Sequence, residues 1–337
     1  MKINKNQLQE ALAIVQPGLA SKDIIEQSNS FAFLDGKVIT YNDRISITHP
    51  VPGLDIVGAI PSEELYKLLQ KIKQSEIDIE IQKNEICLKF GKGSANLILQ
   101  EKIKIPLIEI EGEWRKLPDD FNHLIKFAMA SCSKDMSNPR LTCVNVCSSG
   151  VIQATDSYKI TYCKLKKEIP VETFLISALS VKDVVKINPT HVIRDDKWVH
   201  FVNEKETVIS CRLGEFEEEY PDLKTHIKIK GVQIEFPNSI SELIDRAWVF
   251  AKRDNQLDEE ITIKIENKRM IISSKSETGK FSEKVFINYE GTPIEFLISP
   301  YLLIDIFKDT NRCELNENVI KFEGEGWQYV SVLQSEE

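Results

Sequence analysis

The sequence predicts an α+β fold built from three repeated units, each with two helices on one side of antiparallel sheet. Three observations lead there. First, one apolar stripe recurs after a strand-like run and a helix-starting Ser or Pro. It is Leu65, Leu68 and Leu69 after Ile60-Pro61, Val181, Val184 and Val185 after Ile176-Ser177, and Leu303, Ile306 and Phe307 after Ile298-Ser299. The spacing places each triplet within about 100° of arc on a 3.6-residue helix, and the copies lie 116 and 122 residues apart. Second, another helical stripe recurs with a similar period: Leu8, Ala11, Leu12 and Val15, then Phe121, Leu124, Ile125 and Ala128, then Ile240, Leu243, Ile244 and Ala247. Third, segments of period-two alternation separated by polar turns lie between and after these helices, as antiparallel hairpins do. A repeat with a period of this size calls for one structural unit reused.

Taken in order, each unit opens with its first helix and continues into a strand–turn–strand run. KVITYNDRISIT (from Lys37) aligns with VIQATDSYKITY (from Val151), placing Asp43 and Asp156 in register 113 residues apart. The third copy, KRMIISSKSETGKF, keeps the apolar start and loses the Asp. The second helix follows, and after it come two alternating segments: IDIEIQKNEICLKF with ANLILQ, HVIRDDKWVHFV with TVISCRL, and CELNENVIKFEG with YVSVL. Proline-containing stretches, IPLIEIEGEWRKLP and HIKIKGVQIEFP, mark the boundaries, giving units 1–114, 115–230 and 231–337. Such units join edge to edge into an open array or a closed ring, and six units from two chains would close one.

Composition narrows the function classes. The chain has 337 residues, 42% hydrophobic and 28% charged, within the range of folded globular chains. No apolar run approaches the roughly 20 residues that span a bilayer, and the polar N-terminus MKINKNQLQEAL lacks a signal-peptide core, so the expectation is a cytoplasmic protein without membrane partners. The seven cysteines contain no C-x-x-C spacing and read as reduced packing thiols; Cys143 and Cys147 would share one strand face. A net charge of −9 argues against a protein that coats nucleic acid with its whole surface, while leaving room for a local basic face. No phosphate-loop, dinucleotide or nucleophile-elbow motif occurs, and His49, His123, His191, His200 and His226 show no catalytic or metal-ligand spacing. The acidic run Glu217-Glu218-Glu219 reads as a solvated loop. The sequence thus predicts no catalytic residue, no metal and no cofactor.

The threefold pattern, together with ATDSYKITYC, EEEYPDL and the ending YVSVLQ, resembles the β subunit of bacterial DNA polymerase III, the sliding-clamp family, or a phage-type or divergent member of it. The family's segments at these places are commonly ATDGHRLAVC, an FPDY-type run and a YVV-type C-terminal strand; Ser157 and Tyr158 depart from the family's usual Gly and His. The resemblance implies a head-to-tail homodimeric ring of pseudo-sixfold symmetry that encircles double-stranded DNA. It also implies docking of a replicative polymerase, a clamp loader and repair proteins through a peptide groove between the second and third repeats.

Carried onto this chain, the resemblance places Leu141, Thr155, Ser157, Tyr158, Lys159, Ile160, Pro221, Val330, Val332 and Leu333 in that groove. A small apolar pocket rimmed by hydroxyls suits an extended peptide with leucine or phenylalanine anchors. The tail QSEE adds acids that would alter partner preference. Candidate DNA contacts are Lys22, Lys126, Lys134, Lys186, Lys252, Arg253 and Lys308; on a helical wheel Lys186 and Lys308 lie opposite the buried stripe. Glu10, Asp183, Asp245 and Asp305 share those surfaces. Dimer candidates are Val249 and Phe250, facing Ala95 and Leu97 with Lys92 nearby. Two rival readings remain: the same fold as a peptide-binding adaptor that does not encircle DNA, and an enzyme whose site is assembled from scattered residues.

Overall fold

A computed structural model describes residues 1–22, 25–254 and 258–334. The chain divides into two compact units: Met1–Asn122 with Cys147–Ser149 and Lys167–Glu215, and His123–Val146 with Gly150–Lys166 and Phe216–Glu337. Both are α+β, with helices on antiparallel sheet.

In the first unit, helix α1 (Lys5–Val15) starts where the Asn4 side chain accepts hydrogen bonds from the Asn6 and Gln7 amides, replacing two bonds the first turn lacks. It buries Leu8, Ala11, Leu12 and Val15, the expected stripe. Helix α2 (Ser62–Lys71) buries Leu65 and Leu69, with Glu63 and Glu64 at its positive end. One sheet runs, by residue range, 58–61, 30–34, 37–41, 45–50, 208–212, 198–202, 191–194, 115–116. A second, four-stranded sheet runs 2–4, 76–82, 85–90, 93–98 and ends on the edge strand Gly93–Ile98.

In the second unit, helix α3 (Phe121–Met129) buries Leu124, Ile125 and Ala128, and its Phe127 ring lies 4.3 Å from that of Trp327. The strands of the long sheet that lie in this unit run 143–146, 151–155, 159–164, 327–332, 319–324, 312–315, 232–235. A four-stranded sheet runs 294–298, 261–266, 269–276, 279–286, ending on the edge strand Gly279–Phe286. Helix α4 (Ala178–Ile187), in the first unit, is capped by Ser177, whose hydroxyl accepts the Ser180 amide, and ends at Asn188 in the left-handed region at φ 52°. Helix α5 (Ile240–Ala251), in the second unit, buries Ile240, Leu243, Ile244 and Ala247 as the stripe requires.

Three expectations need correction. The segment after Ser299 is not an α-helix but two 3₁₀ turns, Pro300–Leu302 and Ile306–Lys308. Leu303, Ile306 and Phe307 are still buried. α2 (SEELYKLLQK) is mostly Glu, Leu, Lys and Gln, all strong helix formers, whereas residues 300–310 (PYLLIDIFKDT) are mostly the weaker formers Tyr, Ile, Asp, Phe and Thr. Burial of the stripe thus survives a change of helix type. The repeat register also shifts by one: Asn42, not Asp43, corresponds to Asp156. Asn42 Oδ1 accepts the Ile45 amide at 3.0 Å as Asp156 Oδ1 accepts the Lys159 amide at 2.9 Å, and the positive φ falls on the next residue in each, Asp43 at 69° and Ser157 at 79°. Finally, Cys143 opens the strand Cys143–Val146, and Cys147 lies beyond its end, so the two share no strand face. All seven cysteines are free thiols, and six are buried.

Candidate functional site

The docking candidates all fall in the second unit, where three local structures converge. The strands Val151–Thr155, Lys159–Lys164 and Trp327–Val332 pair so that Thr155 lies opposite Ile160, and Ile160 opposite Val330. Cross-strand partners point to the same face, so these three form one row, with Val330 at 4% exposure and Ile160 half-buried. The intervening turn exposes Ser157 and Tyr158, the latter to 45%. Val332 donates its amide to the Tyr158 carbonyl at 2.9 Å, tying the last strand to the turn. Leu333, just beyond, is half-buried.

The turn is held by Asp156, by the groove candidates Thr155 and Lys159, and by Tyr301, which the sequence reading did not single out. Asp156 Oδ1 accepts the Tyr158 and Lys159 amides. Its Oδ2 accepts the Tyr301 hydroxyl at 3.3 Å, and the Lys159 ammonium stands 3.9 Å away. Lys159 also lies over the Tyr301 ring, 4.7 Å from its centre. Burial lowers the Lys159 pKa, with Asp156 opposing the shift. Burial, reinforced by Asp156, raises that of Tyr301. The Thr155 hydroxyl donates to the Lys159 carbonyl and accepts the Ser157 amide, closing the turn from inside.

Tyr220 connects this turn to the third local structure. Thr155 donates its amide to the Tyr220 hydroxyl at 3.2 Å, and that hydroxyl donates to the Cys143 carbonyl at 3.4 Å. Burial pushes the Tyr220 phenol far above its ordinary value. Pro221 follows, half-buried. Arg140 anchors the same stretch, bonding the Glu219 carbonyl and pairing with Glu218 at 2.9 Å. Arg140 belongs to the 3₁₀ turn Pro139–Thr142, which also carries Leu141 at 8% exposure. Ser335–Glu337, three of the four tail residues, lie outside the described residues.

The first unit contains the same arrangement with opposite chemistry. Tyr41 lies opposite Ser46, Ser46 opposite Ser210, and Ser210 opposite His200. The matching row in the second unit is Thr155, Ile160, Val330 and Lys321. Arg212 donates its amide to the Arg44 carbonyl at 3.0 Å, as Val332 does to Tyr158. Two apolar residues are thus replaced by serines, and two others by arginines. Arg44 is pinned to Asp183 at 3.0 Å and to the Ser180 hydroxyl at 3.3 Å. Arg212 bonds the Tyr41 hydroxyl and the Asp43 carboxylate and lies 4.6 Å over the Trp198 ring. An apolar peptide side chain would strip these partly exposed charges of water there.

His200 does have acid–base neighbours, which the sequence spacing hid. Its Nδ1 is 2.8 Å from Ser210 Oγ and its Nε2 3.0 Å from Asp195 Oδ2. A serine, histidine and aspartate in a row suggest nucleophilic catalysis, but His200 is fully buried and Ser210 is 3% exposed. With the serine and histidine enclosed, we read this row as a structural polar network that ends on the exposed Asp195 carboxylate. Burial lowers the His200 pKa, against the opposing pull of Asp195.

The basic candidates are all exposed. Lys186 pairs with Asp183 at 3.0 Å and Lys308 with Asp305 at 2.8 Å, each three residues earlier on its own turn. Lys252 stands 3.6 Å from the buried Glu259 and 4.1 Å over the Trp248 ring. Arg253 bonds the carbonyls of Lys252 and Lys275. Lys22, Lys126 and Lys134 lie outside the core on the first and second units. Of the dimer candidates, Lys92 sits in the turn before the edge strand Gly93–Ile98, with Ala95 and Leu97 half-buried in it. Val249 is 68% exposed on α5, and Phe250 stacks on Phe281 at 6.3 Å and 18°.

No family model and no curated protein matches the chain. Solved structures do. The DNA polymerase sliding clamp from Bacillus subtilis aligns with a TM-score of 0.86 at 20% identity, covering 100% of this chain and 99% of that one. The DNA polymerase III β chain from Streptococcus pneumoniae aligns at 0.85 and 19%, covering 99% of each. A Pseudomonas aeruginosa sliding clamp bound to griselimycin aligns at 0.85 and 13%, again over 99% of each. Over its whole length, the chain has the fold of the DNA polymerase III β-subunit sliding clamps.

Proposed function

We propose that this protein is a DNA sliding clamp, a non-enzymatic processivity factor that encircles duplex DNA and docks polymerase and other replication or repair proteins. One observation carries the ring. The long sheet of the first unit joins the strand Ile45–Pro50 to Val208–Arg212, and that of the second joins Lys159–Lys164 to Trp327–Val332. In both, a first-half strand that follows the turn meets a second-half strand that closes a repeat. By sequence order, Gly279–Phe286 is the third strand of the first kind and Gly93–Ile98 the third of the second kind. Among the described residues, each ends a four-stranded half-sheet with no partner on its outer side. A head-to-tail second copy supplies what each lacks. The organisation is then three domains per chain, 1–114, 115–230 and 231–337, and six around the ring.

In this reading Lys22, Lys126, Lys134, Lys186, Lys252, Arg253 and Lys308 give loose phosphate attraction while topology holds the protein on DNA. The peptide groove is the Thr155–Ile160–Val330 row with Leu141, Ser157, Tyr158, Lys159, Pro221, Val332 and Leu333. The apolar row and its hydroxyl rim support this assignment, and the serines and arginines at the first unit's counterpart support one groove per chain. No described helix is long and apolar enough to cross a membrane. A labelled peptide of the QLxLF type should bind with about one site per chain in a fluorescence-anisotropy titration, and Leu141→Asp should abolish binding. Undiminished binding by Leu141→Asp would show the groove is elsewhere.

A further inference from the structure

The first unit holds a pocket that neither the groove nor the ring reading uses. The strands Ile45–Pro50 and Val208–Arg212 pair as far as Thr48 and Val208. Beyond that pair, Pro50 and Pro52 have no amide to offer a partner strand. Val51, between them, donates its amide to the Gly36 carbonyl at 2.7 Å, on the side away from Val208–Arg212. The chain thus leaves the pairing beside helix α1, and the gap is a pocket of about 310 Å³. Ile3 and Ile14 line it from the α1 side, Val51 from the strand end, and Lys205 from the turn before Val208.

Three polar groups interrupt this apolar wall. His49 is half-buried, and its Nδ1 lies 2.8 Å from the buried Thr207 hydroxyl. Glu10 and Lys205 line the same pocket and are exposed. Both charges act on the His49 ring: burial lowers its pKa first, Lys205 lowers it further and Glu10 raises it. Among the described residues, neither Glu10 nor Lys205 has an opposite charge within 4.0 Å. The pocket therefore presents one carboxylate and one ammonium, both without an ionic partner, on either side of an imidazole.

An occupant that matches both charges carries an ammonium and a carboxylate of its own, and it presents an apolar group to Ile3, Ile14 and Val51. We propose that the pocket binds a free α-amino acid with an apolar side chain, its ammonium toward Glu10 and its carboxylate toward Lys205. The volume stands at the lower end of the roughly 300–1,000 Å³ of ligand sites, which suits one such molecule. Glu10 and Lys205 fall in different repeats, 1–114 and 115–230, so the occupant ties the first repeat to the second. Binding of this kind stabilises the folded chain by mass action. None of this depends on whether the chain closes into a ring.

The full chain should be titrated, by ligand-observed NMR, with L-leucine, with 4-methylpentanoate, which lacks the ammonium, and with isopentylamine, which lacks the carboxylate. Leucine should bind at least about fivefold more tightly than either, the scale of one matched charge pair. Glu10→Gln should bring leucine down to the affinity of 4-methylpentanoate, and Lys205→Met down to that of isopentylamine. Ile14→Trp, which fills the pocket from a half-buried position, should remove binding of all three. These substitutions change exposed or half-buried side chains, and a melting curve of each variant verifies the fold. Absence of leucine binding at millimolar concentration, equal binding of the three probes, or undiminished leucine binding by both charge variants overturns the proposal.

Discussion

Arg44 and Asp183 are bonded at 3.0 Å in the first unit, while the positions corresponding to them in the second unit are Tyr158, 45% exposed, and Asp305, paired with Lys308. One scaffold thus carries an ion pair where it is closed and an exposed aromatic where the groove is proposed. Arg44→Ala leaves the Asp183 carboxylate, its side chain only 9% exposed, with Lys186 as its remaining ionic partner. We expect a loss of about 2 kcal/mol in urea denaturation, the scale of a buried polar group losing its partner, with QLxLF-peptide binding unchanged. A loss of peptide binding by the folded variant would contradict the assignment of the groove to the second unit alone.

Tyr220→Phe removes the hydroxyl between the Thr155 amide and the Cys143 carbonyl. The ring still fills its space, so the effect isolates one buried hydroxyl. Stability should fall by roughly 1–2 kcal/mol. Peptide affinity should fall with it, because Thr155 closes the Ser157–Tyr158 turn. Thermal melting and anisotropy on the same sample check both; full affinity would separate this bridge from the groove.

The His200 network makes stability pH-dependent. Its folded pKa is depressed by burial, so below the ordinary histidine value of about 6.5 the unfolded chain binds the proton more readily than the folded one. Stability from the neutral imidazole is therefore complete above that value and is lost as pH falls through the lower folded pKa. The slope is at most about 1.4 kcal/mol per pH unit for one proton. His49, also lowered, first by burial and then by Lys205, adds to it. Urea unfolding between pH 7.5 and about 5 should show a smaller slope in His200→Gln than in the parent chain. An unchanged slope would assign the effect to other groups.

Asp305 holds the ammonium of Lys308 at 2.8 Å, with both side chains 65% exposed. Asp305→Asn should release that charge without disturbing the core. If Lys308 meets phosphate, the plot of log binding constant against log salt steepens by about 0.9. An unaltered salt slope removes Lys308 from the DNA surface.

Much of this was legible in the sequence because burial imposes period. The stripes on α1, α3 and α5 are buried as their spacing demands, and the hairpins fall where alternation placed them. Helix type was not legible after Ser299, since Leu303, Ile306 and Phe307 stay buried in 3₁₀ turns as well as they would in an α-helix. The one-residue shift between Asp43 and Asn42 was hidden because Asn and Asp cap such turns equally well. The groove candidates were legible through resemblance, whereas their supports were not. Tyr301 reaches Asp156 across 145 residues, and Tyr220 reaches Thr155 across 65. Only the cross-strand register brings His200 to Ser210.

The central claim is topological. The protein should be loaded onto nicked circular DNA, separated from free chain by gel filtration, and then challenged by cutting the circle once. A ring that encircles DNA stays on the intact circle and runs off the linear product, so the DNA-bound fraction should fall severalfold on cutting. Equal retention on circular and linear DNA would mean that the protein grips DNA by contact rather than by closure, and would contradict the account.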